Sequence, residues 1–221
     1  MGAVSTVFLD RDGVINQNRP ADYVKRWEEF RFLPGAPRAI ARLTRAGYRV
    51  VVVSNQACIG KGLARQQDID EIHRRMVYAV GRAGGRIETV LYCPHRADAR
   101  CACRKPAPGL LLRARDAFGV DLRQAIFVGD SANDVRAAAA AGIPALLVLT
   151  GLGWRTALHA SHDNLPHCDF ALNLGHAARL ILNRNVAPDA EATWLRRAIS
   201  GARFFERHGG TRDGISPRLA H

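Results

Sequence analysis

Short, almost wholly apolar runs alternate along the chain with longer amphipathic stretches. The runs Val4–Leu9, Tyr48–Val53, Ile87–Tyr92, Ala125–Val128 and Ala145–Leu149 are rich in β-branched residues. They lack the polar alternation of a half-exposed strand, which predicts strands covered on both faces. Helices are predicted over Ala36–Ala46, Arg65–Ala83, Gly109–Phe118 and Ala132–Ala141, closed by Gly47, Gly84, Gly119 and Gly142, since glycine readily takes the left-handed turn that ends a helix. Strands alternating with crossover helices build a doubly wound, Rossmann-like α/β fold around a parallel sheet. A weaker strand and helix are predicted at Cys168–Leu172 and Gly175–Leu182. One domain is therefore expected over residues 1–183, and a basic C-terminal extension, rich in Pro, Gly and Arg, over 184–221.

Composition narrows this picture. With 221 residues, 48% hydrophobic and 24% charged, the chain is too apolar for a disordered polyelectrolyte. No apolar run approaches the roughly 18–20 residues that span a bilayer. The opening Met1 to Val14 has no basic segment before its apolar stretch and carries charges directly after it, unlike a secretory signal; a cytoplasmic protein is expected. The net charge of +12 raises the question of nucleic acid, whose phosphates release counterions to basic proteins. Only three residues are lysine, the arginines are scattered and aromatics are 7%, so no basic stripe is interleaved with stacking rings. Steering of a small anionic substrate fits this distribution better.

In doubly wound sheets ligands bind beyond the carboxyl ends of the strands. Those ends read Asp10-Arg11-Asp12-Gly13, Ser54-Asn55-Gln56, Cys93-Pro94-His95 and Gly129-Asp130-Ser131-Ala132-Asn133-Asp134. Two aspartates one residue apart at the end of a buried strand repel unless a cation compensates them. With Asp130 and Asp134 they form a set of hard oxygen donors suited to Mg²⁺. A second cluster, Cys93, His95, Cys101 and Cys103, offers three thiolates and an imidazole, the donor set of a closed structural zinc site. Its pairs are spaced i, i+2, which aims both members the same way in extended backbone. The zinc loop, 93–103, leads straight into Arg104-Lys105-Pro106.

The ordered motifs Phe8-Leu-Asp-Arg-Asp-Gly-Val14, Ser54-Asn55, Lys105 and Gly129-Asp130 to Asp134 resemble those of the haloacid dehalogenase superfamily of aspartyl-phosphate phosphotransferases, over roughly Val4 to Leu182. The resemblance implies that Asp10 is the nucleophile and Asp12 the general acid and base. It implies that Ser54 and Lys105 stabilise the transferring phosphoryl group, and that Asp10, the Asp12 carbonyl and Asp130 hold Mg²⁺ with Asp134 in support. It places Asn55, Gln56 and Arg104 against the substrate, Arg104 as a charged fork for a second phosphate. No large cap insertion separates Ser54 from Lys105, which leaves short loops over the site.

Within the superfamily, the zinc loop followed by Cys-Arg-Lys-Pro is similar to that of two phosphatase families, one acting on D-glycero-D-manno-heptose 1,7-bisphosphate and one on histidinol phosphate. Asp10 to Asn16, Tyr23-Val24, Phe32-Leu-Pro-Gly35 and Ser54 to Gly60 look more like the first. The resemblance thus implies a monomeric, Mg²⁺-dependent, zinc-stabilised phosphatase of a small sugar phosphate, feeding lipopolysaccharide or related glycans. Histidinol-phosphate hydrolysis is the enzymatic alternative. A nucleic-acid-binding zinc module on a vestigial phosphatase fold is the alternative of another class.

Overall fold

The computed structural model describes residues 5–19, 21–160 and 164–183. Six strands, β1 (Thr6–Leu9), β2 (Arg49–Asn55), β3 (Thr89–Cys93), β4 (Ala125–Gly129), β5 (Ala145–Val148) and β6 (Asp169–Ala171), form one all-parallel sheet in the order β3-β2-β1-β4-β5-β6. The helices are α1 (Ala36–Arg45), α2 (Ala57–Gly60), α3 (Gln66–Arg82), α4 (Gly109–Phe118), α5 (Ala132–Ala140), α6 (Gly153–His159) and α7 (Leu174–Leu182).

Strand alternation divides the core in two. Val7 and Leu9 of β1, with Val50, Val52, Ile126 and Val128, face a layer built from Ile40 and Leu43 of α1, Ile69, Ile72 and Met76 of α3, and Ile181 of α7. Phe8, with Val51, Val53 and Phe127, faces Leu110 and Leu111 of α4 and Val135 of α5. Neighbours in register, such as Phe8 beside Val51 and Phe127, lie on the same face. Both faces are buried, so the strands read as unbroken apolar runs. The strand order reverses between β1 and β4, and a sheet of this kind opens a crevice at that switch point, beyond the carboxyl ends of the two strands.

The predicted elements are found with shifted ends. β2 runs on through Ser54 and Asn55, and β3 begins two residues later than its apolar run, at Thr89. Val4 lies outside the described residues, as does the predicted extension over 184–221. The sequence pattern missed α2, a single turn, and α6, which opens on glycine with no capping side chain. Among the described residues no helix is long and apolar enough to cross a membrane.

Candidate active site

The chain leaves β1 at Asp10 and turns back on itself, with the Ile15 amide on the Arg11 carbonyl and the Gly13 amide on the Asn16 carbonyl. This turn lifts Asp10 and Asp12 out of the sheet. The Lys105 ammonium, 3% exposed, lies 2.8 Å from Asp10 Oδ1 and 2.6 Å from Asp134 Oδ1 and donates to the Val53 carbonyl at 2.8 Å. Asn55 holds the lysine there from behind: its amide donates to the Lys105 carbonyl and its oxygen accepts the Lys105 amide, at 3.0 and 3.1 Å. Burial alone would lower the lysine pKa, but the carboxylates of Asp10 and Asp134 outweigh it and hold the ammonium protonated.

Asp10, Asp130 and Asp134 bring carboxylate oxygens within 4.8 Å of one another. Octahedral Mg²⁺ places its oxygens about 2.9 Å apart in cis and about 4.2 Å in trans, so a small inward movement of these carboxylates would bring them onto one ion. Three buried carboxylates face one ammonium. The excess negative charge registers in their proton affinity: burial, then Asp134, push Asp130 well above its ordinary value. Burial also raises Asp10 to about 7 despite Lys105. A divalent cation relieves that imbalance, and the hard donor set fits Mg²⁺.

Asp130 is held by backbone. Its Oδ2 accepts the Leu152 amide at 2.7 Å, and glycines flank it on both sides. A Cβ on Gly13 would lie 2.0 Å from that oxygen, and one on Gly151 would lie 2.1 Å from it; both residues have positive φ. Asp134 has its other oxygen on the amide and hydroxyl of Ser131, at 3.0 and 2.6 Å, the capping box that starts α5. Asp134 thus anchors Lys105 and its own helix at once.

Asp12 sits at the rim, its side chain 28% exposed. Arg11 Nη2 donates to both its oxygens, at 3.0 and 2.9 Å, Asn16 Nδ2 donates at 2.8 Å and Gln56 Nε2 at 3.0 Å. Burial would raise its pKa, but Arg11, followed by Asn16 and Gln56, holds the carboxyl below the usual range. Gln56 also donates to the Ser54 hydroxyl at 2.8 Å. Asn55 and Gln56, expected to meet substrate, hydrogen-bond Lys105, Asp12 and Ser54.

The four residues of the second cluster converge. Cys93, Cys101 and Cys103 sulfurs stand 3.3–3.5 Å apart, and His95 Nδ1 lies 3.5 Å from Cys93 and 3.3 Å from Cys103. Zn–S bonds of about 2.3 Å give a tetrahedral edge of about 3.8 Å, so a slight expansion admits the ion. Burial pushes the Cys93 thiol up to about 12, while contacts from Cys103 and Cys93 bring Cys101 down to about 6. A cation among the three sulfurs would offset the burial that disfavours the Cys93 thiolate. Arg104, half-buried, reaches the His95 carbonyl at 3.4 Å.

Of the other residues singled out in the sequence, Lys105 and Asn55 attach to the carboxylate cluster, Arg104 reaches the second, and Asp12, Ser54 and Gln56 form a hydrogen-bonded group of their own. The sequence reading missed Arg11, Asn16, His73 and the Leu152 amide. His73 had a signal: it falls within the apolar stripe of α3 formed by Ile69, Ile72, Met76 and Val80.

A family model described as HAD-hydrolase-like matches residues 102–173. The D-glycero-beta-D-manno-heptose-1,7-bisphosphate 7-phosphatase of Neisseria meningitidis serogroup A is 38% identical over 185 residues, covering 84% of this chain and 98% of the relative. The enzyme of the same name from Pseudomonas aeruginosa is 43% identical over 152 residues, covering 69% and 85%. The crystal structure of D,D-heptose 1,7-bisphosphate phosphatase from B. bronchiseptica, complexed with magnesium and phosphate, superposes with a TM-score of 0.77 at 38% identity, over 82% of this chain and 99% of that one.

Proposed function

The chain belongs to the haloacid-dehalogenase-like phosphatases and is a phosphoric monoester hydrolase, and on that premise we propose that it removes the 7-phosphate of D-glycero-D-manno-heptose 1,7-bisphosphate through a phospho-Asp10 intermediate. The observation that carries the mechanism is the buried Lys105 ammonium between Asp10 and Asp134, beside the carboxylate of Asp130. Its charge opposes the burial that raises Asp10 and favours the ionised oxygen that a nucleophile requires. The names of the relatives support the substrate.

Asp10 attacks phosphorus, and Asp12 protonates the departing sugar oxygen. Asp12 rests as the carboxylate; the negative charge of an arriving phosphoryl group raises its proton affinity and readies it as an acid. After the sugar leaves, the same carboxylate takes a proton from the water that cleaves the acyl phosphate. Ser54 donates to a phosphoryl oxygen, and Lys105 offsets the charge that grows there. Asp10, the Asp12 carbonyl and Asp130 would hold Mg²⁺, which when bound would further neutralise the phosphoryl oxygens. Arg104 takes the distal phosphate, and Cys93, His95, Cys101 and Cys103 would hold a zinc ion that shapes the loop presenting it. The enzyme works as a cytoplasmic monomer on this small substrate.

The test is phosphate release, with Mg²⁺, from heptose 1,7-bisphosphate, histidinol phosphate and a 3′-phosphorylated oligonucleotide. Expected is a kcat/KM for the heptose about 10²-fold or more above the others, because a site that pairs substrate hydroxyls and a second phosphate rejects ligands lacking them. Activity should vanish in Asp10→Asn. Preference for histidinol phosphate would overturn the substrate, and an active Asp10→Asn the mechanism.

A further inference from the structure

Arg11 is fully buried and ranks among the largest side chains so placed. Burying a guanidinium is costly unless its donors are matched. Among the described residues its hydrogen bonds go to two side chains only. Nη2 reaches both oxygens of Asp12, and Nη1 lies 3.1 Å from His73 Nε2, while Nε has no partner. Arginine carries donors and no acceptor. His73 Nε2 must therefore accept, which makes the imidazole neutral with its proton on Nδ1.

His73 comes from α3 and is itself 6% exposed. Its ring packs 5.0 Å from that of Tyr92 on the edge strand β3, and the Tyr92 hydroxyl donates to Asp70, one turn before His73 on the same helix. The ring is thus fixed from both sides. Burial, then the Arg11 charge, push the His73 pKa down to about 3, so the acceptor is present throughout the working range of pH.

We infer that Arg11 and His73 are positioning residues for the reaction: His73 fixes the guanidinium, and the guanidinium fixes the orientation of the Asp12 carboxylate toward the leaving oxygen. This rests on the reading of Asp12 as proton donor. Neither residue touches the substrate. A proton donor matters most when the leaving group is a poor one. An alkoxide, the conjugate base of a very weak acid, needs the proton, whereas 4-nitrophenolate, the conjugate base of a much stronger one, leaves without it. A misaimed Asp12 therefore damages one substrate and spares the other, and a general loss of structure damages both.

The experiment compares kcat/KM, which reports steps through leaving-group departure, for 4-nitrophenyl phosphate and for whichever alkyl phosphate of the panel turns over fastest. His73→Phe keeps a ring against Tyr92 and removes the acceptor; His73→Gln places an amide oxygen near the position of Nε2. His73→Phe is expected to lose about tenfold or more on the alkyl phosphate and at most about threefold on the aryl one, while His73→Gln stays within about threefold of wild type on both. Arg11→Lys, which keeps the charge without the fork, reads the same ratio should His73→Phe not fold. Asp12→Asn is the control. If it discriminates between the substrates and the His73 and Arg11 variants lose equally on both, or not at all, the inference falls alone. If Asp12→Asn does not discriminate, the proton-donor reading falls and takes the inference with it.

Discussion

An ammonium at 3% exposure persists only where carboxylates and a carbonyl surround it, as Asp10, Asp134 and Val53 do Lys105. A buried imidazole is kept by the opposite device, neutrality. His73, held near pKa 3 against an ordinary 6.5, binds a proton in the unfolded chain sooner than in the folded one. Its neutral form therefore contributes stability that is complete above pH 6.5 and is lost as pH falls toward 3. The melting-temperature advantage of wild type over His73→Gln should shrink between about pH 7 and pH 4.5; a difference independent of pH would contradict this placement. Lys105 was legible in the sequence because it follows the zinc loop and is one of three lysines. Arg11 was not, because the residue between two motif aspartates carries no sign of which way its side chain turns. Only the tight turn from Arg11 to Asn16 sends it inward, to meet a histidine 62 positions away.

At the scale of elements, the central strands were plain because burial on both faces leaves them apolar without interruption. Their ends were less so. Ser54 and Asn55 are polar yet complete β2, since their side chains serve Gln56 and Lys105 rather than solvent. Helix α6 escaped detection because its opening, Gly151-Leu152-Gly153, is shaped to let backbone approach Asp130 and not to favour helix. The zinc loop is the element most dependent on a few side chains. Cys101→Ser removes one of four converging donors, and the loop it shapes carries Arg104 and Lys105. Loss of one ligand is expected to lower the melting temperature by roughly 5–10 °C and to reduce activity, with Mg²⁺ binding retained. Full activity and unchanged melting in zinc-free protein would contradict a structural role for the metal.

Across the whole molecule, the site exists because one sheet edge gathers what the sequence scatters. Asp10, Ser54, Cys93 and Asp130 are up to 120 residues apart in sequence and stand at the ends of β1, β2, β3 and β4. The strand order that achieves this steps outward from β1 through β2 and β3 on one side and through β4 to β6 on the other. It was legible as a fold class, while the contacts among the delivered side chains were not, because they depend on turns after each strand. The central claim is that these ends assemble around a nucleophilic Asp10. Its most direct test is to quench the Mg²⁺-activated wild-type enzyme during turnover of its best substrate, reduce with borohydride, and locate the product by peptide mass spectrometry. An acyl phosphate at Asp10 would be read as homoserine at position 10, with Asp12 unmodified. Phosphate release without any trapped adduct, or an adduct at another residue, would contradict the account.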